Sequence, residues 1–167
     1  VIRLTETDDL SNESTVKSAI KEAKANPGCH LHGSLPCTPW TSWQRINLRK
    51  ATEAKKAQIM QSRVLSMEFV LTFIRLAKTV LAKGGSVSFE WPRGCDGWKQ
   101  PAVRQMVAEL KLTFVDIDGC AVGVQSKKGE PILKPWRFAV SSPHLATALQ
   151  DRRCTRDHLH VPCAGGE

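Results

Sequence analysis

A chain of 167 residues, 41% hydrophobic and 24% charged, can bury one real core and is too short for two full domains. Its 24 Lys and Arg against 16 Asp and Glu leave a net charge of +8 and a pI near 9.4, a field that draws in polyanions such as nucleic acid without reading sequence, though a surface of solvated lysines would produce it too. The six cysteines accompany no secretory leader and no spacing of a small disulfide scaffold, so reduced thiols and an intracellular compartment are expected.

The opening Val1-Ile2-Arg3-Leu4-Thr5 is strand-like and lacks an initiator Met, so the chain reads as part of a longer polypeptide. Asp8-Asp9, Ser11 and Ser14 offer N-caps to a helix carrying Val16, Ala19, Ile20 and Ala23 and stopped by Asn26-Pro27-Gly28. Cys29 to Leu35 alternates and predicts a strand ended by Pro36, with a loop from Pro36 to Trp43. From about Ala51, apolar residues out to Leu81 recur at three and four and predict a long helix closed by Lys83-Gly84-Gly85. Arg63, Glu68, Arg75 and Lys78 inside it are too costly for a membrane span, and no membrane partner is expected.

Ser86 to Glu90 follows as a strand stopped by Trp91-Pro92. A helix over 101–110, a strand over 112–117 and a last strand, Pro135 to Val140, read as half of a hairpin, precede a tail with one short helix. Strands alternating with helices predict a single α/β domain over 1–167, with a mostly parallel sheet flanked by helices up to residue 140 and a Cys/His tail over 141–167.

Ligands of parallel α/β sheets sit outside the carboxyl ends of the strands, and two neighbouring predicted strands finish at reactive side chains. Cys37, with Arg45 nearby in sequence, is either an exposed nucleophile or a packed thiol. Glu90 is either a partly desolvated proton donor or one half of a strand-end ion pair. The loop from Trp91 to Trp98 either shapes a pocket and stacks a base or packs its tryptophans inside.

In chain order, Ser34-Leu35-Pro36-Cys37, Phe89-Glu90-Trp91-Pro92 and the stretch from Asp118-Gly119-Cys120 to Gln125-Ser126-Lys127-Lys128 resemble the Pro-Cys, Glu-Asn-Val and Gln-x-Arg-x-Arg blocks of DNA cytosine-C5 methyltransferases. Pro-Cys-Thr-x-Trp, Glu-Trp-Pro-Arg and Lys-Pro-Trp-Arg are similar to the divergent versions carried by mobile elements and viruses. The resemblance implies a Rossmann-like methyltransferase sheet, truncated at its N-terminus and ending in an antiparallel strand. It implies that Cys37 attacks C6 of a flipped cytosine, that Glu90 binds N3 and the exocyclic amine, and that C5 takes a methyl group from S-adenosylmethionine. Pro36 and Trp40 would then border the cofactor, and Arg45, Lys127 and Arg137 would contact nucleic acid, DNA above all.

Three departures separate the chain from that family. The Gly-rich cofactor block is absent, Trp91 stands in the place of the asparagine, and lysines replace the arginines of the third block. The alternative is an inactive methyltransferase-like module, binding nucleic acid or serving a structural role in a mobile-element or viral polyprotein.

In the tail, Cys154, His158 and His160, with Cys163 just beyond and Cys120 upstream, supply enough donors for a tetrahedral zinc site. The spacing Cys-x3-His-x-His-x2-Cys matches no common finger, and a loop with exposed histidines is the alternative. With Cys120, Cys154, His158 and His160 as ligands, all four positions are filled and the role is structural.

Overall fold

The structure, a computed structural model, describes residues 4–5 and 8–163. Val1, Ile2 and Arg3 of the expected opening strand lie outside the described residues, as do Gly165 and Gly166 of the tail; Leu4 and Thr5 are not in a strand.

Helix α1 (Glu13–Ala25) starts where the Asn12 side chain accepts a hydrogen bond from the Ser14 N–H at 2.9 Å, and it buries Val16. Strand β1 (His30–Gly33) leads into helix α2 (Trp43–Lys50) and the 30-residue helix α3 (Glu53–Ala82), capped by Thr52. Ile59, Ser66, Val70, Phe73, Ala77 and Val80 form the buried stripe of α3, seven, four, three, four and three residues apart, as one helical face requires. Gly84, at φ 72°, lets the chain turn out of α3. Arg75 grips Glu13 through two hydrogen bonds of 2.8 and 2.9 Å, tying α1 to α3.

Strand β2 (Ser86–Pro92), helix α4 (Pro101–Glu109), strands β3 (Thr113–Asp118) and β4 (Pro135–Val140) and helix α5 (Pro143–Gln150) complete the fold. The sheet order is β1-β2-β4-β3, with β1 parallel to β2 and β4 antiparallel to both its neighbours. The fold is therefore α/β as expected, but the sheet is mixed rather than mostly parallel. The connection from β3 to β4 contains no crossover helix, so β4 returns antiparallel and inserts beside β2, separating it from β3. An antiparallel last strand was expected; its central position was not.

Directly paired residues share a face of a sheet. Val87, Phe89, Trp91 and Ala139 face the main core, packed with Phe73, Val80, Val103 and Met106 from the helices. The opposite face carries Val115, Ile117 and Val140 beneath Leu145, Ala146 and Leu149 of α5. The same face continues over β2 and β1 as Glu90, Ser88, His32 and His30, so it turns from apolar to polar toward the β1 edge.

Two local expectations are corrected. Trp91-Pro92 does not stop β2, because the Trp91 side chain is 1% exposed and the strand continues in register against Trp136 and Arg137. The residues after Trp43 fold as α2, an unanticipated helix because none of its side chains is buried and no apolar stripe announces it.

Candidate functional site

Beyond β1 the chain crosses the carboxyl end of β2. Gly33 permits this, since a Cβ there would collide with the Phe73 ring. The Ser34 hydroxyl donates to Glu90 Oε1 at 2.5 Å, and the Leu35 carbonyl accepts from Trp91 Nε1 at 2.7 Å. A 3-10 turn, Thr38–Trp40, follows directly, with the Cys37 carbonyl accepting from the Trp40 N–H. Cys37 packs against the main core, whereas Glu90 lies on the opposite face of β2; the two are near enough for the Glu90 charge to bear on the thiol.

Glu90 Oε2 is buried and has no hydrogen-bond partner. A carboxylate oxygen in that state is an unused acceptor, costly to keep and ready for a donor. Burial pushes the half-buried Cys37 thiol up, the Glu90 charge adds to the rise, and the Lys134 ammonium opposes it. Cys37 is therefore a neutral thiol at pH 7, not a pre-formed thiolate. Cys95 is buried and pushed up to about 11, chiefly by burial.

Ser34 and Lys134 were not singled out as site residues from sequence. Both lie in short sequence blocks with no chemical signature of their own; folding brings the Ser34 hydroxyl to Glu90 and the Lys134 charge to Cys37.

The other expected site residues fare differently. Trp40 is 5% exposed; its Nε1 donates to Ser66 Oγ at 2.9 Å and the Arg63 guanidinium covers its ring, so it is a core residue with no face for a cofactor. Pro36 lines a groove of about 440 Å³ between the 36–39 turn, α2 and α3, together with Gln44, Asn47, Lys55, Gln58 and Phe69. Lys55 is the charged residue of that lining, which has no carboxylate. The rest of its polar lining is amide and hydroxyl side chains, Thr38, Gln44, Asn47, Gln58, Ser62 and Ser66.

Arg45 is held by Asp96 through two hydrogen bonds, and Arg137 by Asp116 at 2.7 and 3.0 Å. Each guanidinium would have to leave a carboxylate to meet phosphate. Lys127 is exposed in the β3–β4 connection. Trp91 and Trp98 stack edge-on with each other and with Phe89, which assigns both to packing rather than base stacking.

At the far end of β3, Cys120, Cys154, His158 and His160 each offer a donor atom within 4.8 Å of all the others. Cys120 lies on the 3-10 turn Gly119–Val122, while the other three come from the segment after α5. This is the ligand set expected from sequence, and it can hold a metal ion. All six cysteines are unbridged.

No described helix is long and apolar enough to cross a membrane. Comparison with protein-family models, with curated proteins and with solved structures finds no match.

Proposed function

We propose that this chain is a methyltransferase-like nucleic-acid-binding module that captures an unstacked cytosine at Glu90, beside Ser34, with Cys37 as the neighbouring thiol. The carrying observation is the buried, partnerless Glu90 Oε2, held in place by the Ser34 hydroxyl on the other oxygen. A carboxylate oxygen accepts from the cytosine N4 amine, whereas uracil presents a carbonyl there. The block order quoted above and the antiparallel last strand support the same reading, and the +8 net charge supplies the phosphate attraction.

The role of Cys37 in this reading is addition to C6 of the held base. The Sγ–C6 bond forms, the C5–C6 double bond opens, and the thiol proton ends on C5; the step is reversible and consumes no cofactor. The reading stops at this reversible addition and does not extend to methyl transfer.

The test is fluorescence anisotropy with a DNA duplex carrying one bulged cytosine, its bulged-uracil counterpart and an unbulged control. The expected preference for cytosine over uracil corresponds to roughly 1–3 kcal/mol and disappears in Glu90→Gln, while salt-dependent binding to all three duplexes persists. Equal affinity for bulged cytosine and bulged uracil in the native protein would sink the proposal.

A further inference from the structure

We propose that Cys120, Cys154, His158 and His160 form a closed, structural zinc site that fastens the C-terminal tail to the end of β3. In a tetrahedral site with Zn–S of about 2.3 Å and Zn–N of about 2.0–2.1 Å, sulfur and nitrogen ligands lie about 3.6 Å from each other. The observed separations are 3.3 Å for Cys120 Sγ to His160 Nε2, 3.4 Å for Cys154 Sγ to His160 Nε2 and 3.8 Å for Cys154 Sγ to His158 Nε2. These three separations are close to the spacing that one central ion imposes, and every other donor pair lies within 4.8 Å. Two thiolates and two imidazoles also suit zinc by softness, and the two thiolates neutralise its charge.

The surroundings are those of a ligand sphere. His158 faces the cluster through Nε2 and meets Asp157 Oδ1 at 2.7 Å through Nδ1, the arrangement that fixes a metal-binding imidazole in one tautomer. The Arg156 N–H donates to Cys154 Sγ at 3.2 Å, from a residue at φ 62° that wraps the backbone around the sulfur. Asp118, 4% exposed, accepts from the Cys154 N–H at 3.0 Å, and it lies two residues before Cys120. Both arms of the site therefore converge on one buried carboxylate. Cys163 stands outside the group.

Four protein donors fill a tetrahedron, so the site is structural rather than catalytic. Its mechanical effect is to close the 120–160 segment, including the β3–β4 connection and α5, into one loop pinned at the sheet end. Arg153 also meets Asp118 at 3.1 Å at this sheet end.

The test uses the full chain purified from zinc-supplemented medium. One zinc per chain is expected by elemental analysis. Cobalt exchange should give the intense visible bands of a tetrahedral site with a thiolate-to-cobalt charge-transfer band.

Peptide mapping after alkylation needs no variant: Cys120 and Cys154 should be protected when zinc is bound and labelled after chelation, with Cys163 labelled in both. Asp157→Asn should weaken zinc binding about tenfold, while Cys163→Ser leaves it unchanged. Substoichiometric metal in the native chain, a pale octahedral cobalt spectrum, or equal labelling of Cys154 with and without zinc overturns the proposal.

Discussion

The Ser34 hydroxyl and the Glu90 carboxylate meet at 2.5 Å across the carboxyl ends of β1 and β2, and the second Glu90 oxygen is buried with nothing to accept from. One oxygen serves the fold, and under the proposed function the other receives the cytosine amine. Holding a charged acceptor unpaired opposes folding, so its removal should separate stability from binding. Glu90→Gln keeps an oxygen for Ser34 and removes the charge. In urea titrations it should unfold with a free energy equal to or up to about 1 kcal/mol above that of the native sequence, while cytosine selectivity is lost. A variant that loses both would make Glu90 a structural ion rather than a binding group.

Cys37 gives a pH signature. Burial and the Glu90 carboxylate hold its thiol above the ordinary value, so the thiolate fraction is small at neutral pH and grows as pH rises. DNA containing 5-azacytosine, whose ring nitrogen at position 5 makes C6 more electrophilic, should give a covalent complex stable to denaturant. Its formation rate should climb with pH through neutrality and keep climbing past pH 9. Cys37→Ala should give none. A rate that levels off near pH 7 would mean a thiol activated in a way this arrangement does not provide.

Much of the fold was legible because apolar spacing marks α1, α3, α4, β3 and β4, and capping residues mark the starts of α1 and α3. What escaped was set by non-local pairing. Nothing in Pro135–Val140 says that it inserts between β2 and β3; the register of Phe138 with both Glu90 and Val115 decides that. The Cys/His set was legible because its chemistry is rare and three of its members lie within seven residues. Trp40 was misplaced for the opposite reason: a tryptophan in a loop looks available, and its commitment to Ser66, 26 positions away, appears only in three dimensions.

Gly97 packs directly on the Trp91 indole, where a Cβ would overlap the ring. Trp91 in turn holds the Leu35 carbonyl, hence the Ser34–Cys37 segment. Gly97→Ala should therefore destabilise by about 1–3 kcal/mol through overpacking and also weaken cytosine binding, although Gly97 touches no ligand. Thermal melts and the bulged-cytosine anisotropy, read on the same sample, test both. Full stability in Gly97→Ala would show that the Trp91 ring has room to move.

Asp116 and Arg137 form a two-bond ion pair across β3 and β4, with the guanidinium also lying 5.0 Å from the Phe114 ring centre. The Arg137 hydrogen bonds hold the Asp116 carboxyl below its ordinary value of 3.8, against the opposing effect of burial, with charges from Arg137, Arg93 and Arg153 adding to the lowering. A carboxyl depressed in the folded state contributes its full stability above the unfolded value and loses it as pH falls through the folded one. The native protein should accordingly hold this contribution at pH 5–7 and shed it below about pH 4. Asp116→Asn removes it at every pH. The variant should be less stable by roughly 1.5–3 kcal/mol at neutral pH, with the gap to the native protein narrowing as pH drops below about 4. Urea midpoints measured from pH 7 down to pH 3 decide the matter: a gap independent of pH would mean that Asp116 acts there by packing and not by its charge.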